Sequence, residues 1–196
     1  MPELVPTLFA LAQASLAMGR VTRVTRHPDG VQLETDAEHT LMLVMVACTL
    51  ASQRPGINVG RVAELASVHD LVEIHAGDTP SLRLTPEEWA AKVERESAAL
   101  ERLRSELQGS RWVLEALDEY EAQRTPEARL VRLVDKLLPK LTHSLNGGAA
   151  LRALGLSEED FHVAVAAQRR RLGAEYGDLP EILSVLDELI RLEMGG

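Results

Sequence analysis

The chain has 196 residues, with 45% hydrophobic and 26% charged residues, enough for one domain around a substantial core. Its net charge of −9 disfavours a basic surface of the kind that grips nucleic acid or anionic lipid, so any anionic substrate has to be met by local cations. Aromatic residues make up only 3%, which leaves Leu, Val and Ala to build the core and favours packed helices, while one cysteine, Cys48, rules out an internal disulfide and points to a reducing compartment.

The apolar stretch Leu4–Met18 follows Glu3 rather than a basic segment and is broken by Gln13 and Ser15. It reads as a first helix and not as a leader or a membrane span, so the expected location is cytoplasmic, with no membrane partner. Next, two Val/Thr-rich runs flank Pro28-Asp29-Gly30, which suits either a short hairpin or an irregular loop. Thr35 with Glu38 forms a capping box that opens a helix through Leu41, Val44 and Leu50 and ends at Pro55-Gly56, placing His39 in its first turn. Cys48 lies in the apolar run of this helix and reads as core.

Asn58 caps the next helix, VAELASVHDLVEIHAGD from Val62 to Asp78. Here Val62, Ala66, His69 and Glu73 fall on one helical stripe, so two ionisable residues occupy positions that should be core. Asp70 flanks His69, and Gly77-Asp78 adds a carboxylate where the helix ends. Buried polar groups without partners cost about 2–7 kcal/mol each, and a metal ion would satisfy this set.

Thr85-Pro86 starts a long amphipathic helix whose face is marked by Trp89, Val93, Leu100, Leu103 and Leu107. After a helix from Trp112 to about Glu121, Thr125-Pro126 opens one that is apolar almost all round, from Leu130 to Leu138. Such a helix is central, and Asp135 is its buried carboxylate. Pro139 removes the hydrogen bond to the Asp135 carbonyl and should bend it. Asn146-Gly147-Gly148 closes this helix, and Ser157 and Asp178-Leu179-Pro180 begin two more. The expected fold is all-α, a single domain over residues 1–196 with a motif-bearing core at about 20–141.

Three buried helices thus each carry candidate ligands: His39, then His69 with Asp70, then Asp135. Imidazole and carboxylate together suit a divalent ion (Mn, Co, Fe, Ni, Zn or Mg), and four such ligands leave positions open for water and a substrate oxygen. His75 reads instead as a satisfied wall or core histidine, and His27, His143 and His162 as surface or structural.

The order His, His-Asp, distant Asp, with AEHT around His39, VHDLVEIHAGDTP, and LDEYEAQRTPEARLVRLVDKL, resembles the HD-domain metal-dependent phosphohydrolases. The likeness is to the branch with the bacterial 5′-deoxynucleotidases and their eukaryotic relatives. It implies an HD-domain helical bundle, one divalent ion on His39, His69, Asp70 and Asp135, Glu73 and Asp78 as catalytic carboxylates, and Arg23 as the phosphate-holding residue. It also implies a small phosphomonoester substrate, a (deoxy)nucleoside 5′-monophosphate giving nucleoside and phosphate, and a homodimer. Two rival readings stay open: a nucleoside triphosphate or cyclic-nucleotide hydrolase on the same scaffold, and a catalytically weak nucleotide sensor. Val24-Thr25 stands where the deoxynucleotidases place an aromatic after the arginine, so looser sugar discrimination is expected; Leu138-Pro139 stands where relatives commonly have a glutamate.

Overall fold

The computed structural model describes residues 2–79, 85–153, 155 and 158–194. A 3-10 turn, Pro2–Leu4, leads into α1 (Val5–Met18), and the strands β1 (Thr22–Arg26) and β2 (Leu33–Thr35) follow. The remainder is helical: α2 (Asp36–Ser52), α3 (Val59–Val68), α4 (Glu73–Ala76), α5 (Pro86–Glu106), α6 (Arg111–Ala122), α7 (Pro126–Leu145), α8 (Ala149–Ala153), α9 (Glu158–Glu175) and α10 (Pro180–Met194). The all-α expectation holds, with the hairpin realised between α1 and α2. Among the described residues no helix is long and apolar enough to cross a membrane.

The strands pair antiparallel with Thr22 opposite Thr35 and Arg26 opposite Leu33, so β1 carries two extra residues and bulges. Its turn is closed by Gly30, whose N–H donates to the His27 carbonyl, and by the Asp29 carboxylate, which accepts from Val31 and Gln32. The Asn146 side chain donates to the Arg26 carbonyl at 2.8 Å and ties the hairpin to the end of α7.

α7 is the central helix. Thr125 caps it with Pro126 at its start, and Leu130, Val131, Leu133, Val134, Leu137 and Leu138 are all at most 1% exposed. α2, α3, α6 and α10 pack around it, and the helix continues through Pro139 to Leu145. α2 opens with the expected capping box of Thr35 and Glu38, which fixes where His39 enters the bundle.

Several expectations are corrected. Val62 to Asp78 is not one helix: α3 stops at Val68, His69 to Leu71 are in turns, and α4 restarts at Glu73. Hydrogen bonds three residues apart (Leu71 to Val68, Glu73 to Asp70) replace the four-residue pattern, while the His69 ring takes the Ala66 carbonyl. α5 buries Ala99 and Leu103, with Leu107 buried just past its end, but Trp89 and Val93 are half exposed. Cys48 is only partly buried, its thiol directed at the Val59 carbonyl. The helix start expected at Ser157 lies outside the described residues.

Candidate metal centre

The break after Val68 is what assembles the site. Tightened turns swing Asp70 and Glu73 to the same side as His69, and Gly77, with φ 73° and ψ 150°, turns the chain so that Asp78 returns toward the cluster. The positive φ at Gly77 is one a side-chain-bearing residue adopts at a cost. α2 delivers His39 and α7 delivers Asp135.

His39 Nε2 lies 3.0 Å from Asp135 Oδ1 and 4.0 Å from Asp70 Oδ2, while His69 Nε2 lies 2.9 Å from Asp70 Oδ2 and 4.0 Å from Asp135 Oδ1. Ligands about 2.1 Å from a common ion stand about 3.0 Å apart at right angles, so these separations have the right size. His69 and His39 are 2% and 1% exposed. His69 Nδ1 faces the Ala66 carbonyl at 2.9 Å, an oxygen that only accepts, so Nδ1 carries the hydrogen and Nε2 presents its lone pair. That buried Nε2 has no hydrogen-bond partner; its contact with Asp70 is out of alignment. A lone pair aimed at carboxylate oxygens calls for a cation between them, and a divalent ion fits the donor set.

The electrostatics agree. Burial works against charge on His39, yet hydrogen bonds to Asp135 and Glu34 outweigh it and raise its pKa to about 9, so the cluster attracts positive charge. Burial also opposes ionisation of Asp135 and Asp70, but Lys136 and His39 hold Asp135 well below the usual carboxylate range, and His69 and Arg23 do the same for Asp70. Both therefore remain anionic.

Arg23, from β1, reaches across to this cluster. Its Nη1 donates to Asp36 at 2.9 Å and Asp70 at 2.7 Å and lies 3.5 Å from Glu73, while Nη2 lies 3.9 Å from Asp78. Four carboxylates thus share one guanidinium, and they do not all ionise. Burial first, then the charge of Asp70, pushes Glu73 up to about 10; burial raises Asp36 to about 6 and Asp78 above its ordinary value against the pull of Arg23. Glu73 is a neutral acid at physiological pH, 7% exposed.

A profile of the HD-domain family matches residues 18–173. The chain belongs to the HD-domain family. This HD domain is 31% identical to the zebrafish (Danio rerio) protein named 5′-deoxynucleotidase HDDC2, over 61% of each chain. It is 34% identical to the Schizosaccharomyces pombe protein named 5′-deoxynucleotidase hdd1, over 53% of each. The match therefore spans only about half to three-fifths of these curated relatives. A crystal structure from Magnetospirillum magnetotacticum, described as a predicted metal-dependent phosphohydrolase, superposes with a TM-score of 0.73 at 27% identity, covering 97% of this chain and 94% of that one. The PH0347 protein of Pyrococcus horikoshii, at 23% identity and a TM-score of 0.59 over 92% of this chain and 97% of that one, shares the fold.

All seven sequence-predicted site residues of the HD domain meet in this one volume. His75 stands apart, paired with Glu106 at 2.8 Å. Sequence reasoning missed Asp36 and Glu34. Asp36 reads locally as a helix-start acid, and its role appears only once β1 and β2 are paired, since Arg23 then lies beside it; the signal for Glu34 was a charge alternating between Leu33 and Thr35. Lys136 stands 2.6 Å from Asp135 and supplies a second local cation beside the cluster.

Proposed function

We propose that this HD domain is a metal-dependent phosphohydrolase acting on a small phosphomonoester, of which a nucleoside 5′-monophosphate is the leading case. The observation that carries the reading is the buried convergence of His39 Nε2, His69 Nε2, Asp70 and Asp135, with a guanidinium and a neutral carboxylic acid beside it. The nucleotide class draws support from the two relatives named 5′-deoxynucleotidases.

These four residues would hold one divalent ion, which when bound supplies Lewis-acid polarisation of a phosphoryl oxygen and activation of water. Arg23 binds the phosphoryl group. Its Nη1 is held by Asp36 and Asp70, whereas its Nη2 has Asp78 only at 3.9 Å and keeps donor capacity for substrate oxygen. Glu73 carries a proton where a leaving alkoxide needs one, so it acts as general acid. Asp78, beyond Arg23, contacts substrate or relays that proton.

The test is a screen of nucleoside mono-, di- and triphosphates and cyclic nucleotides with Mn2+, Co2+, Mg2+, Ni2+ and Zn2+, scored for inorganic phosphate against pyrophosphate. Phosphate release from monophosphates is expected. Turnover confined to triphosphates or cyclic nucleotides would replace the substrate assignment, and binding without turnover would favour a sensor.

A further inference from the structure

β2 is inside out. Of its three residues, Leu33 is 37% exposed while the charged Glu34 is 4% exposed, the reverse of what a short strand on an apolar bundle ordinarily does. A carboxylate in that position needs a strong local partner. Its Oε1 lies 3.0 Å from Nδ1 of His39. A carboxylate oxygen only accepts, so Nδ1 must carry a hydrogen, and Nε2, which faces Asp135 and Asp70, is the nitrogen that can turn a lone pair to an ion placed between them. The ring can then neither flip nor change tautomer without losing that bond. His69 is fixed the same way by the Ala66 carbonyl, a backbone group with no charge. Of these two histidines His39 is the one with an anionic holder, and that holder comes from a different element than the histidine.

We infer that Glu34 is a positioning residue of the metal centre: it locks the His39 tautomer and, by its charge, strengthens Nε2 as a donor to the ion. This rests on the metal-site reading above and adds a residue to it that touches neither substrate nor ion. Hydrogen-bond partners of this kind, one step behind a ligating histidine, alter metal affinity by roughly 10- to 100-fold.

Glu34 also lines a surface cavity of about 150 Å³, next to Arg26 and His27. Truncation of its side chain would open a carboxylate-sized space reachable from solvent, which makes chemical rescue practicable.

Glu34→Ala, Glu34→Gln and His39→Ala are stripped with chelator and titrated with Co2+, recording the Kd, the visible d–d spectrum and the Tm of each metal-free protein. Glu34→Gln keeps the volume and an acceptor oxygen, which guards against loss of fold. Glu34→Ala should bind Co2+ roughly 10- to 100-fold more weakly, with an altered spectrum. Glu34→Gln should lose less, and added formate should recover affinity in Glu34→Ala but leave wild type unchanged. A Co2+ Kd in Glu34→Ala within about twofold of wild type, while His39→Ala loses the ion, would overturn the inference and leave the site standing. A fall in Tm with an unchanged Kd would do the same. Failure of the wild type to bind Co2+ would overturn the site itself.

Discussion

Glu73→Gln separates the two consequences of a buried neutral acid. An amide is close in shape to a protonated carboxyl but cannot ionise or deliver a proton. The unfolded carboxyl ionises above about 4.5, whereas the folded one keeps its proton to about 10. The folded state therefore binds an extra proton throughout that window, and wild-type stability falls as pH rises across it. Each pH unit costs about 1.4 kcal/mol, so near pH 8 the penalty approaches about 5 kcal/mol. Near pH 5 it is below about 1 kcal/mol. Gln removes it. For a chain of this size each kcal/mol moves Tm by about 2–4 °C, so in chelator-stripped protein Glu73→Gln should melt higher than wild type by on the order of 10 °C at pH 8 and about equally at pH 5. The same variant should retain its ion and lose turnover by about 10²–10⁴. A Tm difference that does not change between pH 5 and pH 8 would refute the neutral-acid reasoning, and undiminished kcat would refute the general-acid role.

Asp135→Ala removes the anion facing His39 at 3.0 Å and leaves Lys136 without its partner; metal content should fall to background, with about 3–5 kcal/mol of stability lost in denaturant titrations. Arg23→Lys retains one positive charge but not the fork whose Nη1 is held by Asp36 and Asp70 while Nη2 is left for substrate, so kcat/KM should drop clearly, and Arg23→Ala, which strands four carboxylates, should lower both kcat/KM and Tm further. Normal kinetics in both arginine variants would remove Arg23 from substrate binding. Matched ribo- and deoxyribonucleotides should show similar kcat/KM, because Val24 and Thr25 offer no aromatic wall against a 2′-hydroxyl; a strong deoxy preference would assign the exclusion to another residue.

The helices were legible because caps and periodicity are local. Thr35 with Glu38, Asn58, and Thr125 with Pro126 each start a helix where their spacing predicts. The residues that converge at the candidate site were legible because ionisable residues stood among apolar ones. What the sequence hid was non-local or subtle in its geometry. The unwinding at His69 leaves no Gly or Pro signature, since it arises from side-chain and three-residue hydrogen bonds. Trp89 and Val93 obey helical spacing yet face solvent, because periodicity marks a face but not how far along it the neighbours extend. Asp36 and Glu34 became partners of Arg23 and His39 through strand pairing, which local patterns do not encode.

The separation between His39 and Asp135, 96 residues apart in the chain, has a kinetic consequence. An ion held by both finds no site until α2 and α7 have docked, so it cannot template early collapse. Loss of that docking early in unfolding would release it, and the ion would then act as a brake on unfolding, with little influence on the rate at which the chain folds.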